Sequence, residues 1–77
     1  MLDFQVEELS GNWVAHSEVT RFKSYWIHEG AWTYLSTVQG DRAGATISKD
    51  ITFDSLAQAM QAANKMDAAM EAVNEIS

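Results

Sequence analysis

Residues 54–76, DSLAQAMQAANKMDAAMEAVNEI, hold the longest uninterrupted pattern in the chain and decide how the rest is read. Leu56, Ala63 and Met70 recur every seven residues, and so do Ala59, Met66 and Val73. Interleaved, they alternate by three and four, the seam of a helix facing another surface. Asp54 or Ser55 can cap the first free N–H groups, and Ser55 with Gln58 fits a capping box. The stretch lacks Pro and Gly and is rich in Ala, Gln and Met, so nothing inside it breaks the helix. A helix over 55–76 is about 33 Å long, whereas a seven-residue strand spans about 23 Å. Part of the seam is therefore expected to overhang the sheet, and Met66, Met70 and Val73 are expected to join a homodimer. A helix tilted across its own sheet and fully docked in a monomer is the alternative.

Upstream the period changes to two. Leu2, Phe4 and Val6 alternate with Asp3, Gln5 and Glu7, a half-buried strand. Ser10-Gly11-Asn12 is a turn, after which Trp13, Ala15, Ser17 and Val19 share one face of a second strand. Val19, Phe22 and Trp26 also fit a short helix running from near Ser17 to Gly30. Phe22, Tyr25, Trp26 and Ile27 favour a strand, however, and Glu29-Gly30 favours a tight turn. From Ala31 to Gln39, Trp32, Tyr34 and Val38 face one way and Thr33, Leu35 and Thr37 the other. Bulk on both faces suggests a central strand. After the turn Gly40-Asp41-Arg42-Ala43-Gly44, residues 45–53 alternate again, with Ile47, Ile51 and Phe53 inward and Lys49 breaking the run. Strands are expected at about 2–8, 12–20, 22–28, 31–39 and 45–53. Short turns imply antiparallel neighbours. The reading is one α+β domain over 1–77, an antiparallel β-meander of four to five strands with one long C-terminal helix packed on one face.

Eleven acidic residues against five basic ones give a net charge of −6, which opposes phosphate backbones and anionic lipid and favours a basic partner. Without cysteine the fold has neither disulfides nor thiolate metal sites. The acidic, alternating start is not a signal peptide and no apolar run approaches a membrane span, so no membrane association and a cytoplasmic location are expected. His16 and His28 match no metal-ligand spacing, and no nucleophile elbow or phosphate-cradling glycine loop is present. No catalytic residue, metal or cofactor is assigned, and the chain is not expected to be an enzyme.

Two features point to a partner. Asp67, Glu71 and Glu75 step by four along the helix, an acidic ridge suited to a basic groove or, more plainly, a solvated face. On either reading neutralising all three is expected to leave folding unchanged or slightly improved, and if the ridge meets a basic groove it is expected to slow association and weaken binding at low salt. Trp13, Phe22, Tyr25, Trp26, Trp32 and Tyr34 crowd six aromatics into 22 residues. Half of them can fill the space between sheet and helix. A domain this small cannot bury them all, so Trp13, Trp26, Trp32 and Tyr34 are candidates for a protein interface. Interleaved with Arg21 and Lys23, the same aromatics would suit single-stranded bases.

The turn at Gly40-Asp41-Arg42-Ala43-Gly44, leading through Ile51-Thr52-Phe53-Asp54-Ser55-Leu56 into the helix, resembles the layout of small acidic phage-encoded inhibitors of the anti-CRISPR kind. The resemblance lies in organisation over about half the chain and transfers no site residue. It implies a non-catalytic inhibitor from a phage or mobile element. Such a protein binds a basic surface of a nucleic-acid-handling complex and blocks it sterically or by mimicking nucleic acid. The alternative is a small single-stranded nucleic-acid or ligand-binding module using an aromatic sheet face.

Overall fold

The computed structural model describes the backbone of residues 1–40, 44–48 and 50–76, with side chains as far as Ala72. Strands β1 (Gln5–Val6), β2 (Trp13–His16), β3 (Lys23–His28), β4 (Thr33–Gln39), β5 (Thr46–Ile47) and β6 (Ile51–Phe53) precede helix α1 (Leu56–Ile76). β1 to β5 lie side by side in chain order, each antiparallel to the next, and β6 also pairs with β4. The chain is thus an α+β meander closed by a C-terminal helix.

Ser17 follows the end of β2 at His16, four residues earlier than expected. Its Oγ accepts hydrogen bonds from the Val19 and Thr20 amides at 3.0 and 3.1 Å, a local substitute for the ladder. The Ser17 amide still donates to the Lys23 carbonyl at 2.9 Å, which closes the hairpin. Lys23–His28 then pairs with β2 on one side and β4 on the other, so the stretch is strand and not helix. Phe22 sits between with φ 61°, and its carbonyl accepts from the Gly40 amide at 2.7 Å. A left-handed backbone costs a non-glycine residue roughly 1–2 kcal/mol, and the Phe22 side chain is 65 % exposed. Phe22→Asn is therefore expected to stabilise the domain by about 0.5–1 kcal/mol, since Asn visits this region more readily. Urea unfolding reads this as a higher midpoint with unchanged slope; a lower midpoint would mean that the ring holds the loop.

Gly40, at φ 111°, opens the expected turn at 40–44, and a Cβ there would approach the Gly44 carbonyl oxygen to 2.9 Å. Residues 41–43 lie outside the described residues. Beyond the turn the chain returns along β4 in two pieces. Between the Val38–Ile47 and Leu35–Ile51 pairs β4 advances three residues and its partner four, a one-residue bulge. The extra residue reverses the alternation. Ile51 stays on the helix side, but Ile47, expected inward, lies opposite Val38 on the other face and is 68 % exposed.

The core lies between the helix and one sheet face. Ala15, Tyr25, Ile27 and Leu35 form its floor, Ala59 and Ala63 its roof, and Leu2 closes one end. Two fully buried alanines bring the helix axis close to the sheet, where larger side chains would hold it off. Trp13, Phe53, Leu56, Met60 and Met66 pack around this centre. Ser55 Oγ accepts from the Gln58 amide at 3.2 Å, and Gln58 Oε1 accepts from the Asp54 amide at 3.1 Å, close to the expected capping box. The Leu2 amide donates to Asn64 Oδ1 at 2.7 Å and ties the first residues to the helix.

Candidate interaction surface

Residues directly opposite on antiparallel strands share a face. The registers therefore put Val14, Trp26 and Ser36 in one row of the face turned away from the helix, with His28 beside Tyr34 and Val38 beside Ile47. Among the described residues no element covers this face, and Val14, Trp26, Tyr34 and Val38 are half-buried on it. Its aromatics are held in place. Trp26 Nε1 donates to Ser24 Oγ at 2.9 Å, and the His28 and Tyr34 rings stack at 4.9 Å with planes 25° apart. His28 Nδ1 lies 3.1 Å from Asn12 Oδ1. Ser36 Oγ donates to Asp50 Oδ1, which fixes a carboxylate at the β5–β6 margin. A depression of about 360 Å³ lies among Trp26, His28, Tyr34, Ser36 and Asp50.

The opposite margin is acidic too. Gln5 pairs with Val14, so Asp3 and Glu7, at the same parity, flank this face along β1. With Glu18, Val14 and His16 they line a second hollow of about 500 Å³. In that hollow the Met1 ammonium pairs with Glu18 at 2.8 Å, while the described Lys and Arg side chains are elsewhere. Lys23 points to the helix side, its Nζ 3.2 Å from Met70 Sδ and 5.7 Å above the Tyr25 ring, while Lys65 is exposed on the helix and Arg21 in the β2–β3 loop. The open face is an apolar, aromatic strip between carboxylates.

The candidates from sequence separate here. Trp26 and Tyr34 lie on the open face and Trp32, 75 % exposed, stands in the β3–β4 turn. Trp13 does not join them: it pairs with Ile27, faces the helix and packs against the core. Asp67 is not part of an exposed ridge, being only 4 % exposed. It continues the inward row Ala59–Ala63 by one further step of four. Its Oδ1 accepts from Ser17 Oγ at 2.6 Å and from the Tyr25 hydroxyl at 3.0 Å, and its Oδ2 accepts from the Glu18 amide at 3.0 Å. Burial alone would raise the Asp67 carboxyl. The Ser17, Glu18 and Tyr25 hydrogen bonds, with the nearby Lys23 ammonium, outweigh it and hold the group below the usual carboxylate range. The Tyr25 phenol is pushed up, first by its own burial and then by donating to Asp67. Glu71 is exposed, and the Glu75 side chain lies outside the described residues.

The proposed dimer seam is largely spent on the chain's own sheet. Met66 packs against the core, Met70 is half-buried beneath Lys23, and the Val73 side chain lies outside the described residues. Sequence reasoning did not join His28, Asp50, Asp3 and Glu7 to the aromatic face. Alternation gives each residue's parity, but the registers that align the strands are long-range. Among the described residues no helix is long and apolar enough to cross a membrane, and no group of three or more His, Asp or Glu is placed to hold a metal ion. No known protein family, curated protein or solved structure matches the chain.

Proposed function

We propose that this chain is a non-catalytic binding protein that applies its open sheet face to a protein partner with a basic surface. The observation that carries the reading is the strip of Val14, Trp26, Tyr34 and Val38 bordered by Asp3 and Glu7 on one side and Asp50 on the other. Apolar aromatic centres with charged rims are the anatomy of protein interfaces, and rim charge acts mainly through the encounter rate. Phosphates approaching this face would meet carboxylates and a chain of net charge −6. In its specific form, supported by the acidic charge and by the resemblance in layout, the proposed binding protein is an inhibitor from a phage or mobile element, of the anti-CRISPR kind. It would occupy the basic surface of a nucleic-acid-handling complex from the cytoplasm.

The test is capture of a partner from bacterial lysate at low and high salt, with wild type and with Trp26→Ser/Val38→Lys. That double variant alters half-exposed side chains and leaves the core intact. It is expected to lose capture by at least about tenfold, the loss typical of a central interface residue. Glu71→Gln, on the helix, is expected to capture normally. Capture by the double variant at wild-type level would overturn the reading. The isolated protein is also expected not to bind oligonucleotides at physiological salt. Micromolar binding that weakens with salt and is lost on changing Arg21 would replace the reading with a single-stranded nucleic-acid module.

A further inference from the structure

We infer that the depression on the open face is a socket for an arginine side chain of that partner, an assignment that rests on the protein-partner reading. Four features of the hollow select a planar cation. Trp26 and Tyr34 line it with aromatic rings, one face of Tyr34 being covered by His28, and an aromatic face attracts a cation. The Tyr34 ring is kept from turning by its stack on His28, and His28 is kept in place by Asn12. Asp50 supplies a full negative charge at the margin, aimed by the hydrogen bond from Ser36. Ser36 lies directly opposite Trp26, so carboxylate and indole border the same space.

Other occupants fit less well. An apolar side chain covering the hollow would strip water from Asp50 and leave a charge unpaired. An anion would meet Asp50 and the acidic β1 margin. A second copy of this chain would bring another charge of −6 to the face. Arginine suits the site better than lysine because a guanidinium both lies flat on an aromatic ring and pairs with a carboxylate through two parallel hydrogen bonds. The partner's basic surface is thereby given a point of register: one arginine between Trp26 and Tyr34, its guanidinium reaching Asp50.

The probe is the capped tripeptide acetyl-Gly-Arg-Gly-amide, titrated into the full chain and followed by indole fluorescence and by amide and side-chain NMR shifts. Saturable, weak binding is expected, with shifts centred on Trp26, Tyr34 and Asp50. The lysine peptide is expected to bind at least about threefold more weakly and the citrulline peptide at least about tenfold. Asp50→Asn and Ser36→Ala alter the margin without touching the core, and both are expected to weaken arginine binding, Asp50→Asn by about fivefold or more. Glu71→Gln is expected to leave it unchanged. Citrulline binding as tightly as arginine, shifts centred elsewhere, or indifference to Asp50→Asn would each overturn the socket. If Asp50→Asn is silent while Trp26→Ser/Val38→Lys still abolishes partner capture, the socket alone falls. If the double variant captures normally, the partner reading falls with it.

Discussion

Asp67→Ala is expected to lower the stability of the domain by about 3–5 kcal/mol, as removal of one member of a buried polar network does. A domain of this length has roughly 4–12 kcal/mol in total, so the variant should be partly unfolded at room temperature or close to it. The substitution removes a carboxylate that accepts from Ser17, from the Glu18 amide and from Tyr25. Two side-chain donors and one amide are then left facing a small void. Asp67→Asn should cost less, about 1–3 kcal/mol, because an amide oxygen can still serve Ser17 and Tyr25 while its NH₂ opposes the Glu18 amide. Glu71→Gln, one turn further on, should be nearly neutral. This reverses the sign expected of a solvated acidic ridge.

The same residue sets a pH dependence. The folded state holds the Asp67 carboxyl below its unfolded value of about 3.9, so its contribution is complete above that pH. It is lost as pH falls through the lower, folded value. Wild type should therefore weaken steeply below about pH 4, and Asp67→Asn should show a shallower acid dependence over the same window. Urea midpoints between pH 2 and 7 measure both. Parallel curves for the two proteins would remove Asp67 from the stabilising network.

Met66→Glu distinguishes a docked helix from a dimer seam. Met66 packs against the core beside Leu35 and Ile51, near Asp50. A glutamate there loses the apolar contact and sets a half-buried charge against Leu35 and Ile51. The expected loss is about 3 kcal/mol, roughly 2 from lost burial and the remainder from the half-buried charge. The variant should unfold at lower denaturant without a change in association. Were Met66 instead the centre of a homodimer, light scattering would show a dimer for wild type and a folded monomer for the variant.

Local features of this fold could be read from sequence because local chemistry sets them. Ser55, Gln58 and the three–four alternation from Leu56 onward mark a helix that begins at Leu56, one residue from the expected start. Bulk on both sides of residues 31–39 identified β4 as a central strand. What was missed depends on register. The four candidate aromatics look equivalent in sequence, yet the Trp13–Ile27 pairing turns one inward while the pairings of Trp26 and Tyr34 turn those outward. Ile47 was misassigned because one bulged residue reverses a face, although the interruption at Lys49 was a sign of it. Asp67 was the hardest case. Its donors Ser17 and Tyr25 are 50 and 42 residues away, and Glu71 four positions on made it look like half of a surface pair. The step from Ala59 through Ala63 to Asp67 was the available clue.

The bulge between β5 and β6 also bears on how the chain coexists with copies of itself. An outer strand with a long, regular row of free N–H and C=O groups is a template onto which another molecule can add and from which fibrils grow. Here that margin is broken into pieces of two and three residues that meet β4 out of step. The opposite margin, β1, is two residues long. Neither piece approaches the six or seven contiguous residues that a stacked β-spine requires. A chain without proline, 47 % hydrophobic and with one sheet face that no described element covers, is thus expected to resist edge-to-edge pairing through irregular borders. Among the described residues it is the face, and not an edge, that offers a continuous surface for contact.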